Sequence, residues 1–246
     1  MANRGGSPMF RSGTLASAAS GAETMTVSGA VNKTALLLTL AVVSAGLTWN
    51  VVAANPVLGA PLLWTGAIGG LVLSLVTCFK PVWSPVTAPV YALLEGLFLG
   101  VISLTYGSLF DGIVFQAVVL TLAVTLAMLA LYSMGVIRPT ARFRAIIFAA
   151  TLGMALFYLV AMVLRLAFHF EIPLIHSNGP IGIGFSLFVV ALAAFNLIVD
   201  FGDFEDGERS GAPRYMEWYC GFALLVTLVW LYIEILRLLS KLRSND

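Results

Sequence analysis

The sequence is poor in charged residues. Only 10% of its 246 residues are charged, whereas a soluble domain carries about 25%. Hydrophobic residues make up 60% of the chain, and the mean hydropathy is +0.98. The formal net charge of +1 excludes nucleic acid as an obvious partner. No soluble core of this length buries so much apolar surface, so the composition indicates a polytopic protein of the lipid bilayer.

Histidine and cysteine are almost absent. The two histidines, His169 and His176, lie in one predicted loop, which excludes an HExxH zinc site and a Ser–His protease within the membrane. Cys78 and Cys220 lie in apolar segments without the spacing of metal ligands. The chain has no P-loop and no complete dinucleotide fingerprint. We therefore expect no enzymatic activity and no resident cofactor, and metal binding stays undefined.

Seven apolar segments are long enough to cross a bilayer as helices, which takes about 20 residues each. The predicted fold is thus all-α, with residues 33–243 as a seven-helix transmembrane domain after a flexible N-terminal tail, residues 1–32. The predicted spans are residues 35–54, 59–79, 86–106, 113–134, 143–168, 181–201 and 218–239.

The basic residues of the short connections predict the orientation. Lys33, Lys80 and the arginines at 138, 142 and 144 flank the same ends of the spans, which places the N-terminus in the cytoplasm. Seven spans then put the C-terminus outside, which strains the positive-inside rule, because Arg237, Lys241 and Arg243 would be exterior. The alternative is that one segment is re-entrant. We expect the plasma (inner) membrane of a bacterium.

Small residues predict tight packing of neighbouring helices. Gly66 and Gly70 form a GxxxG pattern on the second span, and Gly96 and Gly100 form another on the third.

Four ionisable residues lie in or at the ends of the spans: Glu95, Arg165, Asp200 and Glu234. A charge at the bilayer centre costs at least about 2.5–3.5 kcal/mol on insertion scales, so such residues mark functional sites by default. Counted from Trp218, Glu234 lies about 24 Å along its helix, far from Asp200 at the cytoplasmic end. Depth therefore favours a pair of Glu234 with Arg165 over a pair with Asp200.

For each of these residues a structural role stays open beside the functional one. Glu95 is either a hydrogen-bonded core acid or an acid of a pore or proton relay. Asp200 is either a charge at a helix end or part of the ion pathway. Arg165 either pairs or extends outward to the membrane surface.

Half of all acidic residues lie between Asp200 and Glu217. This stretch is interpreted either as a solvated cytoplasmic turn or as a cation-attracting vestibule. The candidate vestibule residues are Asp203, Glu205, Asp206 and Glu208.

Two segments carry a family resemblance. Residues 212–219 read Ala-Pro-Arg-Tyr-Met-Glu-Trp-Tyr, residues 231–234 read Leu-Tyr-Ile-Glu, and the third span carries Glu95 before a glycine. Together with seven spans and an acidic last loop, the chain resembles the Bax inhibitor-1 family, in its bacterial branch. The resemblance implies two three-helix layers around a central seventh helix. It also implies a pH-sensitive calcium leak gated by two carboxylates, one on the sixth helix and one on the seventh.

The resemblance assigns the gating carboxylate of the last helix to Glu234. On the sixth helix, Asn196 stands where the family has aspartate, and Asp200 follows one helical turn later on the same face. The leading interpretation is a pH-responsive cation leak, with calcium (as a transient ligand) or a proton as the ion. The alternative is a regulator without transport that binds another membrane protein, such as a quality-control protease.

Overall fold

The computed structural model describes residues 23–168 and 179–244, and these residues form seven long helices. Each is long and apolar enough to cross a membrane, so the predicted all-α fold with seven spans is confirmed and no re-entrant segment is needed. The helices are α1 (Val27–Ala54), α2 (Gly59–Phe79), α3 (Ser84–Leu109), α4 (Ile113–Ser133), α5 (Ala141–Phe168), α6 (Pro180–Arg209) and α7 (Met216–Arg243). The outer loop that carries both histidines lies outside the described residues.

The first helix begins earlier than predicted. Thr26 is its N-cap, and the Thr26 hydroxyl accepts a hydrogen bond from Gly29 N at 2.9 Å. Residues 27–32, which the composition assigned to the tail, are therefore helical. Of the predicted tail, residues 1–22 lie outside the described part of the chain.

Helix α7 is the centre of the bundle. It packs against α1 and α3 on one side and against α4 and α6 on the other, while α2 packs on α3 and α5 on α6. Its side chains at Leu225, Leu231 and Leu236 are completely buried. The chain thus has the expected two three-helix groups around the seventh helix.

Both GxxxG patterns lie where helices approach closely. A Cβ at Gly100 of α3 would come within 2.5 Å of the Ala45 carbonyl oxygen on α1, and one at Gly66 of α2 within 2.7 Å of the Leu94 carbonyl on α3. Only glycine allows backbones this close, so the prediction of tight helix packing is confirmed.

The cations after the last predicted span donate hydrogen bonds to other parts of the bundle. Lys241 is only 4% exposed, and its Nζ donates to the Gly182 carbonyl at 3.0 Å and to Ser186 Oγ at 2.9 Å. Arg243 Nη1 donates to the Asp111 carbonyl at 2.5 Å. These two residues hold α7 to α6 and to the α3–α4 turn. Their presence beyond the span therefore has a packing reason, and they are poor indicators of orientation.

Candidate functional site: an acidic cavity between α6 and α7

The acidic stretch is helical rather than a loop. Helix α6 continues to Arg209, eight residues beyond the predicted end of its span, and the connection to α7 shrinks to residues 210–215. Because residues three apart lie on one face of a helix, Asp200, Asp203 and Asp206 form a row of carboxylates. The interpretation of this stretch as a solvated turn is wrong.

This row borders a cavity of about 450 Å³ at one end of the bundle. Helices α6 and α7, the turn between them and Arg144 of α5 supply its walls. The lining residues are Arg144, Asp200, Asp203, Phe204, Asp206, Gly207, Ser210, Ala212, Met216, Tyr219, Cys220 and Ala223.

Asp200 lies deepest in the row. Its Oδ2 is buried, and among the described residues it has no hydrogen-bond partner. The Thr227 hydroxyl of α7 lies against the carboxyl group, but the hydroxyl also donates to the Ala223 carbonyl at 3.3 Å. Leaving a buried polar atom unsatisfied costs about 1–3 kcal/mol, so this oxygen is unfavourable as a purely structural element.

Arg144 closes the row on its outer side. The guanidinium bridges two carboxylates, with Nη1 on Asp203 and Nη2 2.7 Å from Asp206 Oδ2, while Nε donates to the Pro139 carbonyl at 3.1 Å. Gly202 makes room for this arrangement, because a Cβ there would come within 2.7 Å of Arg144 Nη2 and 2.4 Å of the Pro139 ring. A single cation thus ties the start of α5 to the end of α6.

The other two predicted vestibule residues have different roles. Glu205 pairs with Arg209 one turn later, at 3.1 Å on the exposed surface. Glu208 Oε1 accepts a hydrogen bond from Val27 N at 3.0 Å, at the start of α1. Of the four predicted residues, Asp203 and Asp206 therefore line the cavity, together with Asp200.

The chain before α1 packs against the end of α6, the α6–α7 turn and the start of α7. Met25 is buried against Gly207, and its backbone N donates to the Ala212 carbonyl at 2.8 Å. Buried Glu217 accepts hydrogen bonds from the backbone N and the hydroxyl of Thr26, both at 3.1 Å. This N-terminal segment holds the α6–α7 turn in place.

Asn196 faces a different helix from Asp200. Its Nδ2 donates to Thr151 Oγ1 of α5 at 2.9 Å and to the Leu192 carbonyl at 2.9 Å. The residue that stands in for the family's aspartate is therefore held by α5, and the carboxylate that faces α7 is Asp200.

Glu234 forms a second polar group with residues that the sequence did not single out. Its side chain is 2% exposed; Arg237 Nη1 lies 2.7 Å from Oε1 and 3.0 Å from Oε2. Tyr158 of α5 donates its hydroxyl to Oε1 at 2.9 Å and accepts from Arg237 at 2.7 Å. The prediction of an ion pair with Arg165 is wrong: the cation is Arg237, and Arg165 lies exposed in the last turn of α5.

Glu95 lies apart from both groups, between α2 and α3. Its carboxylate faces the hydroxyl of Tyr91 one turn earlier, and a Cβ at Gly70 would come within 3.1 Å of Glu95 Oε2. The structure thus distributes the predicted acids over three places: the cavity, the α5–α7 contact and the α2–α3 contact.

Three residues of these polar groups were missed for different reasons. Arg237 had a readable signal, since it follows Glu234 at the i+3 spacing of a helical ion pair. Arg144 was counted only as a charge of a short connection. Tyr158 carries no sequence signal, because a tyrosine in an apolar run resembles any core aromatic residue.

Within the residues that the structure describes, no three or more His, Cys, Asp or Glu side chains are grouped so that they could hold a metal ion.

The comparisons with known proteins were informative at the family level alone. The family model described as "Bax inhibitor 1 like" matches residues 7–244, nearly the whole chain. No curated protein and no solved structure matches the sequence.

Proposed function

The chain belongs to the Bax inhibitor 1-like family, and from this premise we propose that it is a pH-responsive cation leak with calcium as the permeant ion. We place it in the plasma membrane, with a cytoplasmic N-terminus and no enzymatic activity. The observation that carries the proposal is Asp200 Oδ2, a buried carboxylate oxygen without a partner among the described residues, bordering a cavity lined by two further carboxylates.

Such an oxygen is suited to a transient cation. Carboxylate oxygens are the ligands that calcium, a hard cation, prefers. Asp203 and Asp206 line the outer part of the cavity, and Asp200 offers a buried carboxylate ligand further inward. A series of ligands that each bind the cation weakly lets it pass from one to the next, whereas a single tight site would retain it.

Arg144 supplies the gate of the proposed leak. While Asp203 and Asp206 are ionised, they hold the guanidinium across the outer part of the cavity. Protonation of these carboxylates at low pH removes the negative charge that binds Arg144, so the start of α5 is released from α6. We therefore propose that lower pH on the side of the cavity increases the leak.

The Glu234 group provides a second contact of α7, in this case with α5. Glu234 and Arg237 on α7 both bond to Tyr158 on α5. Asp200 lies beside Thr227, and Glu234 follows Thr227 by seven residues, about 10 Å along α7. Asp200 thus lies at the contact of α6 with α7 and Glu234 at the contact of α5 with α7, one at each half of α7.

The test is calcium flux into proteoliposomes that contain the full chain, measured with an entrapped fluorescent indicator over a range of pH. Wild type is expected to conduct more at low pH than at neutral pH. Asp200→Asn is expected to lower the flux at every pH, because it removes the buried ligand. Arg144→Gln is expected to raise the flux at neutral pH and to flatten its pH dependence, because the gate is absent.

Glu205→Gln is the matched control, since Glu205 lies on the same helix but pairs on the surface with Arg209. Its flux is expected to equal that of wild type. Flux equal to that of empty liposomes at every pH contradicts the proposal and favours the regulator without transport. Flux that is present but unchanged by Asp200→Asn and Arg144→Gln contradicts the assigned pathway.

A further inference from the structure

A second pocket, which shares no lining residue with the acidic cavity, carries the opposite charge. It has a volume of about 270 Å³ and is lined by Lys33, Pro85, Arg214, Tyr215 and Trp218. These residues come from the second turn of α1, from the first turns of α3 and α7 and from the α6–α7 turn. All of them lie at the end of the bundle that the basic residues predict to be cytoplasmic.

Lys33 is a cation without an acidic partner among the described residues. Its recorded contact is with the Trp218 ring, whose centroid lies 4.9 Å from Lys33 Nζ. A cation over an aromatic face is attracted by the ring but keeps its charge and its N–H donors. The pocket therefore presents an ammonium group that is positioned and not neutralised.

Arg214 supplies the second cation. Its Nη1 is paired with Glu23, and this contact raises the pKa of the guanidinium, so Arg214 stays charged. Both partners are more than half exposed, and an exposed ion pair contributes only about 0–1 kcal/mol, so a competing anion displaces Glu23 at little cost. The other nearby acid, Glu217, is buried and accepts hydrogen bonds from Thr26.

The surroundings of the pocket match a membrane–water boundary. A second lysine–tryptophan pair lies beside it, with Lys80 Nζ 4.6 Å from the ring centroid of Trp83, a side chain that is 53% exposed. Ser84 Oγ donates to the Tyr215 carbonyl at 2.9 Å, which joins the start of α3 to the start of α7. Tryptophan and tyrosine with basic residues at helix ends form the belt that contacts lipid headgroups.

We propose that this pocket binds the phosphate headgroup of an anionic phospholipid, with Lys33 and Arg214 as the phosphate ligands. The aromatic side chains of Tyr215 and Trp218 provide the apolar wall along which the glycerol and the first acyl carbons lie. Lipid binding here does not depend on the proposed cation leak.

The experiment is native mass spectrometry of the full-length protein in detergent, titrated with phosphatidylglycerol or with phosphatidylcholine of the same acyl chains. Wild type is expected to retain one phosphatidylglycerol in preference to phosphatidylcholine. Lys33→Gln is expected to weaken this binding about fivefold, the effect of one basic residue near a lipid surface. Lys33→Arg is expected to preserve it, because the charge remains.

Arg142→Gln is the matched control, since Arg142 is an exposed cation at the predicted cytoplasmic end, outside the pocket. It is expected to leave the binding unchanged. An equal loss in Arg142→Gln and Lys33→Gln overturns the proposal in favour of a general charge effect, and so does equal retention of the two lipids. Retention of inorganic phosphate at a lower concentration than phosphatidylglycerol overturns the lipid as occupant, because the pocket then prefers free phosphate.

Discussion

Arg237→Met tests the energetics of the Glu234 group. The substitution removes the donor that bonds to both oxygens of Glu234 and to the Tyr158 hydroxyl, but it keeps a side chain of similar length. Glu234, at 2% exposure, is then a buried charge with one phenolic donor in place of an ion pair.

The expected loss of stability is about 3 kcal/mol. Breaking a buried ion pair by removing one partner costs roughly 3–5 kcal/mol, and Arg237, with 26% of its side chain exposed, points to the lower end of that range. Arg209→Met is the matched control, because it removes the same type of residue from the exposed pair with Glu205. Its expected cost is about 0.3–0.5 kcal/mol, typical of an exposed helical pair.

The assay is reversible unfolding in mixed micelles with increasing sodium dodecyl sulfate, followed by tryptophan fluorescence. A third variant, Glu234→Leu with Arg237→Met, removes both charges and is expected to regain most of the lost stability. A cost for Arg237→Met no larger than that of Arg209→Met refutes the reasoning. So does a double variant that is less stable than the single one.

Two further predictions concern packing and capping, and both are measured as the free energy of unfolding in the same assay. Gly100→Ala is expected to cost about 1–3 kcal/mol, since its Cβ would come within 2.5 Å of the Ala45 carbonyl oxygen. Gly153→Ala on α5, where a Cβ meets nothing within 4 Å, is the control, and an equal effect of both contradicts the packing argument. Thr26→Ala is expected to cost about 1 kcal/mol, because it removes the N-cap hydroxyl of α1 that accepts from Gly29 N, and stability equal to that of wild type shows that the cap is dispensable.

The fold and the family could be predicted from the sequence because their signals are local. A helix that crosses a bilayer satisfies its own backbone hydrogen bonds, so a run of about 20 apolar residues predicts it without reference to the rest of the chain. The glycines of the GxxxG patterns likewise indicate close packing from their spacing alone. The one systematic error was at helix ends. Helix α6 continues through the acidic stretch, and a hydropathy profile does not detect helical turns that are made of polar residues.

The tertiary structure decided the partners of the buried charges, except for Arg237, which follows Glu234 by three residues on the same helix. Depth along a helix correctly separated Glu234 from Asp200, but it carries no information about rotation around the helix axis or about which helices are neighbours. Rotation turns Glu234 towards Tyr158 and turns Asn196 towards Thr151. The assembly of α5, α6 and α7 leaves Asp200 beside a cavity that Arg144 closes. Contacts between residues 45 or more positions apart depend on the packing of whole helices. The sequence therefore identified the buried charges, but only the packed bundle determined these distant partners.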